Sequence, residues 1–409
     1  MALTLSGTNG VVGAGFSITP GGAVAGIVTV GAAVTISESG IEASGIGITC
    51  ASINDGQISG RKNIVINGAM IVKQRADLTM TSTSTYSLDR WRAAVGSSFN
   101  WSSATVTQST TSPDGFGKSL KVDIASTNTP TGSQNALIQT KIEGQDLQQL
   151  AYGTSSAKQC TLSFYVRSNK TGTYCVQVAN TANTKYVLFE YTINSADTWE
   201  RKSVTFSGNT ANTLNNDNAL GFDVNFHLAT GSDDHVSATS TWTTYSGGSF
   251  RATSNQVNLF DNASNEWYLT GCQLEVGSQA TTFEHRSFGE ELSLCQRYLC
   301  RLQPGASYVN YGVGGIYSST QAVVQVNYPV SLRAAPTFSY NGALNTFYDI
   351  VGGFSSFSQM NHTQTMGSSE TGYTSVNLQV VGSGTAGNPF MLATYNNTNT
   401  YLNFDAELP

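Results

Sequence analysis

Four histidines, five tryptophans and one acidic triplet carry most of the chemistry this chain could perform. The histidines are His227, His235, His285 and His362. No H-x-x-H, H-E-x-x-H or Cys/His spacing joins them, so no zinc framework is written in the chain. Neither a G-x-S-x-G elbow nor a P-loop occurs. Asp233, Asp234 and His235 stand side by side between glycine and serine residues. They read as a solvated turn, with calcium binding as the second reading. A glycosidase needs two carboxylates at a set separation, and chain spacing assigns no such pair. The aromatics offer different chemistry, because the C–H face of a pyranose packs against a ring. Trp242, in "TSTWTTYSGG" with Tyr245, reads as an exposed sugar-binding pair. Tyr373, Tyr395 and Asn397 are further candidates towards the C-terminal end. Trp91, Trp199 and Trp267 read as core, and Trp101 is left open.

The elements that must position these side chains are strands. Only 11% of the 409 residues are charged, about half the usual share. Abundant Gly, Ser, Thr and Asn, with Val, Ile, Tyr and Phe, point to an all-β protein of two or three domains. The net charge of −6 disfavours nucleic-acid binding and supplies no polybasic membrane patch. No cationic leader precedes an apolar run at Met1, so no ordinary signal peptide is expected. Residues 11–37 are uncharged but rich in Gly, Ala, Ser and Thr, and no membrane span is expected there. The six cysteines, Cys50, Cys160, Cys175, Cys272, Cys295 and Cys300, read as buried free thiols. "SNKTG" between Cys160 and Cys175 reads as a hairpin turn that sets Cys175 opposite Tyr165, which argues against a bridge.

Residues 1–60 are a different material. They contain no Lys or Arg, and Phe16 is their only aromatic. Ile36, Ile41, Ile46, Ile48, Ile53 and Ile58 recur with glycines between them. One chain would leave that isoleucine stripe wet, whereas several copies around one axis would bury it. An oligomeric β-stalk is therefore expected, most simply a homotrimer.

At Arg61 the first basic residues appear. "NIVINGAMIV" reads as the first strand of a β-sandwich, and "DRW" seats Trp91 in its core with Arg90 hydrogen-bonded nearby. "CTLSFYVRS", "TGTYCVQVAN", "KYVLFEYTI", "WERKSVTFSG", "LGFDVNFHLA" and "EWYLTGCQLEVG" supply further strands, enough for a jelly roll. "NIVINGAMIVKQR…YSLDRW", "KIEGQDLQQLAYG", "TLSFYVRSNKTGTYCV", "DTWERKSVTFSG" and "GCQLEVGSQATTFEHRSFGEELSLCQRYL" together resemble a module of phage tail fibres and related virion proteins. That module is similar to the jelly-roll carbohydrate-binding modules attached to glycosidases. The likeness spans about residues 61–302. Ala76 stands where the family form has the glycine of "QRG". The resemblance also implies that a structural Ca²⁺ could be present, with no ligands assigned.

Ser287 with Glu290 forms a capping box for a helix stopped by Pro304-Gly305. Leu292, Cys295, Leu299 and Leu302 would form a stripe, either a trimer seam or a face packed on the sandwich. Beyond it "GIYSSTQAVVQVNYPV", "LRAAPTFSY", "TSVNLQVVG" and "YLNFDAELP" return to β. "YPVSLRAAPTFS" and "FDAEL" resemble C-terminal domains of phage tail proteins. The expected organisation is a stalk with virion attachment at 1–60, a jelly roll at 61–288, a linker helix at 289–303 and a β-rich tip at 304–409. The resemblance implies a non-enzymatic virion fibre that binds host-surface glycan and contacts other virion proteins through its N-terminus. A capsid-mounted fibre, a glycan-degrading tailspike and a bacterial carbohydrate-binding module are the alternatives.

Overall fold

A computed structural model describes residues 34–37, 40–43 and 60–409. Gaps fall at 98, 102–103, 246–249, 304, 307–308, 320, 342–346, 350–356, 364–374, 383–384 and 395–398. The chain divides into two units, Met1–Ile53 and Asn54–Pro409. In the first unit β1 (Val34–Ser37) and β2 (Gly40–Ala43) pair antiparallel, with Ile36 opposite Ile41. Their backbone alone is described. Ile46, Ile48, Ile53 and Ile58 lie outside the described residues, as does Cys50.

The second unit opens with β3 (Leu78–Thr79), β4 (Thr85–Leu88), β5 (Trp91–Gly96), β6 (Thr105–Ser109), β7 (Ser119–Asp123) and β8 (Asn135–Glu143). Next come β9 (Cys160–Ser168), β10 (Gly172–Asn180), β11 (Lys185–Ile193), β12 (Glu200–Phe206), β13 (Leu220–Thr230), β14 (Thr239–Thr244) and β15 (Glu266–Val276). They form a jelly-roll sandwich. One sheet has seven strands in the order β14-β11-β10-β13-β8-β5-β4. The other has six, ordered β12-β9-β15-β7-β6-β3. Strict alternation explains the layers: Trp91, Ile138, Val176, Val187, Val224 and Phe226 point inward from the first sheet, against Leu162, Phe164, Trp267 and Leu269 of the second.

β9 and β10 do not form the expected hairpin. They lie in opposite sheets, and the turn between them crosses the sandwich. Phe164 on β9 and Tyr174 on β10 are both fully buried and meet through Tyr191, which sits 5.1 Å from Phe164 and 5.7 Å from Tyr174. Cys175 therefore pairs with Glu190 rather than Tyr165, and Cys160, Cys175, Cys272, Cys295 and Cys300 are buried free thiols.

The expected strand at "NIVINGAMIV" is also absent. The segment is a turn-bearing thread, with Asn67 and Met70 at positive φ. Ile64 N–H donates to the Leu274 carbonyl of β15 at 2.9 Å, but side chains meet several of the amides in and around the segment. Lys62 and Asn63 N–H donate to Glu284 at 2.7 Å each, Val72 to the Asn67 side chain at 3.0 Å and Gln74 to Asp89 at 2.6 Å. Gly68 is required here, since a Cβ would meet the Cys272 carbonyl oxygen at 2.1 Å.

Helix α1 runs Phe288–Gln296, capped by Ser287, which accepts from Glu290 N–H. It ends earlier than the sequence suggests, because β16 (Leu299–Leu302) follows at once. Leu299 and Leu302 therefore belong to a strand, and the four-residue helical stripe does not exist as such. Arg297 closes the helix and holds the buried Glu143 through two bonds of 2.9 Å.

The remaining strands are β17 (Asn310–Ser318), β18 (Gln321–Asn327), β19 (Thr337–Asn341), β20 (Phe347–Asp349), β21 (Phe357–Thr363), β22 (Ser375–Gly382), β23 (Pro389–Thr394) and β24 (Tyr401–Asp405). A three-stranded sheet, β16-β24-β19, packs against a six-stranded one, β20-β23-β17-β18-β22-β21, around Cys300, Ile316, Val324, Phe390 and Phe404. For β20, β21 and β22 the backbone alone is described. β21 is the polar segment "FSQMNHT".

The C-terminal end returns to the sandwich. Arg90, 1% exposed, pairs with the buried Glu407, donates to the Lys141 carbonyl and lies 3.4 Å from the Tyr298 ring centroid. Arg75 adds an ion pair of 2.8 Å to Asp405. Burial works against the Arg90 charge, but Glu407 and Tyr298 offset it and leave its pKa raised. Replacing Arg90 by Ala leaves the buried Glu407 carboxylate with Arg75 alone as an ion-pair partner, at 3.5 Å. Urea unfolding of Arg90→Ala is expected to show a loss of about 3–5 kcal/mol. Arg90→Met combined with Glu407→Leu should recover most of it, and a single-variant loss below about 1 kcal/mol would contradict this role.

Candidate glycan-binding face

The outward residues of the seven-stranded sheet are unusually polar. Antiparallel pairing sets Tyr86 on β4 beside Arg92 on β5, Arg92 beside Gln139 on β8, Gln139 beside Asn225 on β13, and Asn225 beside Gln177 on β10. One row of polar side chains therefore crosses five strands. The carboxamides are linked head to tail. Gln139 donates to Asn225 at 2.8 Å, Asn225 to Gln177 at 3.0 Å, and Gln177 to the Phe250 carbonyl. Each bond fixes which end of the amide faces its neighbour.

A second row lies two residues along, where Lys141 pairs with Asp223. The Asp223 carboxyl is 4% exposed, and its Oδ1 has no hydrogen-bond partner. Burial pushes it up to about 6, against the pull of Lys141, Arg92 and Arg251. Lys141 donates to the Pro409 carbonyl, and burial lowers its ammonium pKa. His227, on the other side of the row, is fully buried with neither ring nitrogen partnered. Burial, then Arg251, lowers it to about 3, so it is neutral at ordinary pH.

Residues 250–256 border the face over β10 and β13. Phe250 stacks on Tyr245 at 3.9 Å, and Arg251 lies 3.2 Å from Asp234. Gln177, Asn225 and His227 are buried, while Arg92 and Gln139 are half-buried at the open side.

This geometry separates the aromatic pair suggested by sequence. Trp242 is not an exposed platform. It packs inward on Phe222 at 5.3 Å and on Tyr152 and Phe206 at 5.8 Å each, and its indole N–H donates to the Ser207 carbonyl at 2.9 Å. Tyr245 turns the other way, onto Phe250, and is half-buried. There it packs on Tyr186, Leu188 and Phe250, outside the sandwich core, and burial raises its phenol pKa. Tyr373, Tyr395 and Asn397 lie outside the described residues. Trp91, Trp101 and Trp267 are fully buried, whereas Trp199 is half-buried against Tyr268.

The Asp233–His235 cluster is not a fully solvated turn. Asp234 is buried, held by Asn135 at 2.9 Å as well as by Arg251. Among the described residues no cluster of three or more His, Cys, Asp or Glu is placed to hold a metal ion. Among them, too, no helix is long and apolar enough to cross a membrane.

The polar row was hidden in sequence because its members are scattered from Arg92 to Asn225. Only the outward positions of alternating strands, once paired, would have revealed it.

No protein-family model matches the chain, and no curated protein matches it. Solved structures are similar to it over about half its length. One, from Bacteroides thetaiotaomicron and described as sugar-binding, is 12% identical over 53% of this chain and 100% of its own, with a TM-score of 0.31. The enzymatically active domain of bacteriophage CBA120 tailspike protein 4 is 12% identical over 52% of this chain and 21% of its own, with a TM-score of 0.28. A family 11 carbohydrate-binding module of Clostridium thermocellum is 13% identical over 52% and 98%, with a TM-score of 0.25.

The face has a pH signature. Folded Asp223 holds its proton more tightly than it does unfolded. It therefore favours the fold at low pH, and that contribution disappears as pH rises through about 6. Asp223→Asn should match the parent chain near pH 4 and exceed its stability by up to about 3 kcal/mol above pH 7. Comparing the two at each pH by thermal melting cancels the opposite contribution of His227. Equal melting at both pH values would contradict the buried assignment.

Proposed function

We propose that this chain is an oligomeric virion fibre of the phage type that adheres to host-surface glycan through the outer face of its seven-stranded sheet. The observation that carries the binding half is the carboxamide row. Gln139, half-buried beside Arg92, is the accessible end of the row, and the buried Asn225 and Gln177 fix its amide through bonds of 2.8 and 3.0 Å. Sugars are recognised by such fixed arrays, because each hydroxyl both donates and accepts. The sandwich holds the array rigid, so little ordering entropy is lost on binding. The reading assigns the protein no catalytic step.

The fibre half is supported by sequence. Residues 1–60 carry glycine-separated isoleucines and no basic residue, a composition suited to burial between identical chains. Three linked faces would convert weak single-site contacts into strong adhesion. Virion attachment through the N-terminus, on tail or capsid, belongs to the same proposal.

Gln139→Ala is the direct test of the face. It should weaken binding of a glycan ligand, found by array screening, by about tenfold in calorimetry, with the melting temperature little changed. Unaltered affinity would place the binding elsewhere. For assembly, native mass spectrometry of the full chain is expected to show a trimer, and a stable monomer at micromolar concentration would overturn the stalk.

A further inference from the structure

The chain contains 11 arginines, and Arg92 stands apart from the rest. Arg61, Arg75, Arg90, Arg167, Arg251, Arg286 and Arg297 form ion pairs. Arg201, Arg301 and Arg333 donate to oxygens of Thr281, Asn403 and Ala406. Among the described residues Arg92 has neither kind of partner. It is half-buried on a sheet strand, fixed in register beside Gln139 and Tyr86. Across the same face, the buried Asp223 Oδ1 is also without a hydrogen-bond partner. The two charges influence each other, yet they form no ion pair. A donor fork therefore remains open on one rigid surface beside the half-buried Gln139, with the buried Asp223 carboxyl behind it.

Resting on the glycan-binding face proposed above, we infer that the site takes an acidic glycan whose sugar carboxylate docks on Arg92 beside Gln139. The guanidinium fork matches a carboxylate in a plane and binds it with two parallel bonds. Lys141 adds positive potential from the next row. Asp223 limits the choice of anion. A phosphate ester brings about −1.5 to −2 charges and would be repelled by the nearby carboxylate. A singly charged uronate leaves Arg92 and Lys141 in excess over Asp223. The face thus selects against the overall −6 charge of the chain, which would otherwise keep acidic polymers away.

The test uses the full chain and a defined panel at pH 7: polygalacturonate, alginate and hyaluronate, each with its carboxyl-reduced neutral form, and carrageenan as a sulfated, uronate-free polymer. Binding is read by calorimetry at low and high salt, with Arg92→Ala and Arg92→Lys alongside. At least one uronate polymer should bind, with its reduced form about tenfold weaker or worse. The same affinity should fall with salt and be lost in Arg92→Ala. Arg92→Lys should recover only part of it, since a point charge lacks the fork. Melting temperatures of the variants check that the fold is retained.

Equal binding of acidic and reduced forms, sensitive to Gln139→Ala but not to Arg92→Ala, would overturn the acidic specificity and leave the glycan face standing. Preferential binding of carrageenan would overturn the carboxylate. Binding of no panel member would overturn the inference, and a neutral array ligand sensitive to Gln139→Ala would then show that the face itself survives.

Discussion

The buried guanidinium of Arg90 is the constraint on which the second unit depends. It sits after the edge strand β4, at positive φ, with its charge out of water. Such a group needs partners, and the fold brings them from three parts of the chain: Glu407 near the C-terminus, the Lys141 carbonyl on β8 and the Tyr298 ring after α1. Breaking any one leaves polar atoms unpaired in a low-dielectric interior. The jelly roll, the short helix and the last strand are thereby fastened at one point. β24 pairs with β16 on one side and β19 on the other, and Arg75 holds Asp405 at its end.

The same fastening reaches the candidate binding face. Lys141 is held through its carbonyl by Arg90, and its side chain points outward beside Asp223. The two faces of the sheet then do different work. Inward positions pack large apolar groups, including Trp91 and Phe226 at 6.3 Å, and provide the stability. Outward positions carry a polar row whose buried members are costly unless satisfied. Gln177 and Asn225 satisfy each other, whereas Asp223 and His227 keep unpartnered atoms.

Much of the architecture was legible in the chain itself. Low charge and period-two alternation gave the all-β class, and "CTLSFYVRS" and "KYVLFEYTI" became β9 and β11 with the ends the sequence suggests. The burial of Trp91 with Arg90 beside it, and the Ser287 cap, were also readable, since both depend on neighbours within a few residues. Trp242 shows the limit. Its polar surroundings in sequence suggested exposure, but an edge strand has an inner side too, and that side meets Phe222 and Tyr152.

Local chemistry thus determined strand identity, helix start and the contrast between residues 1–60 and the rest, because alternation, capping and composition act over short stretches. Tertiary structure alone decided sheet assignment and register. Whether β10 pairs with β9 or crosses the sandwich depends on the burial of Phe164 and Tyr174 together, a long-range packing condition. Whether "NIVINGAMIV" becomes a strand depends on Glu284 and Glu291 claiming the Asn63 and Asn67 amides from distant positions. The row from Arg92 to Gln177 exists only through pairing of strands far apart in the chain, and pairing partners are set by global topology that alternation does not encode.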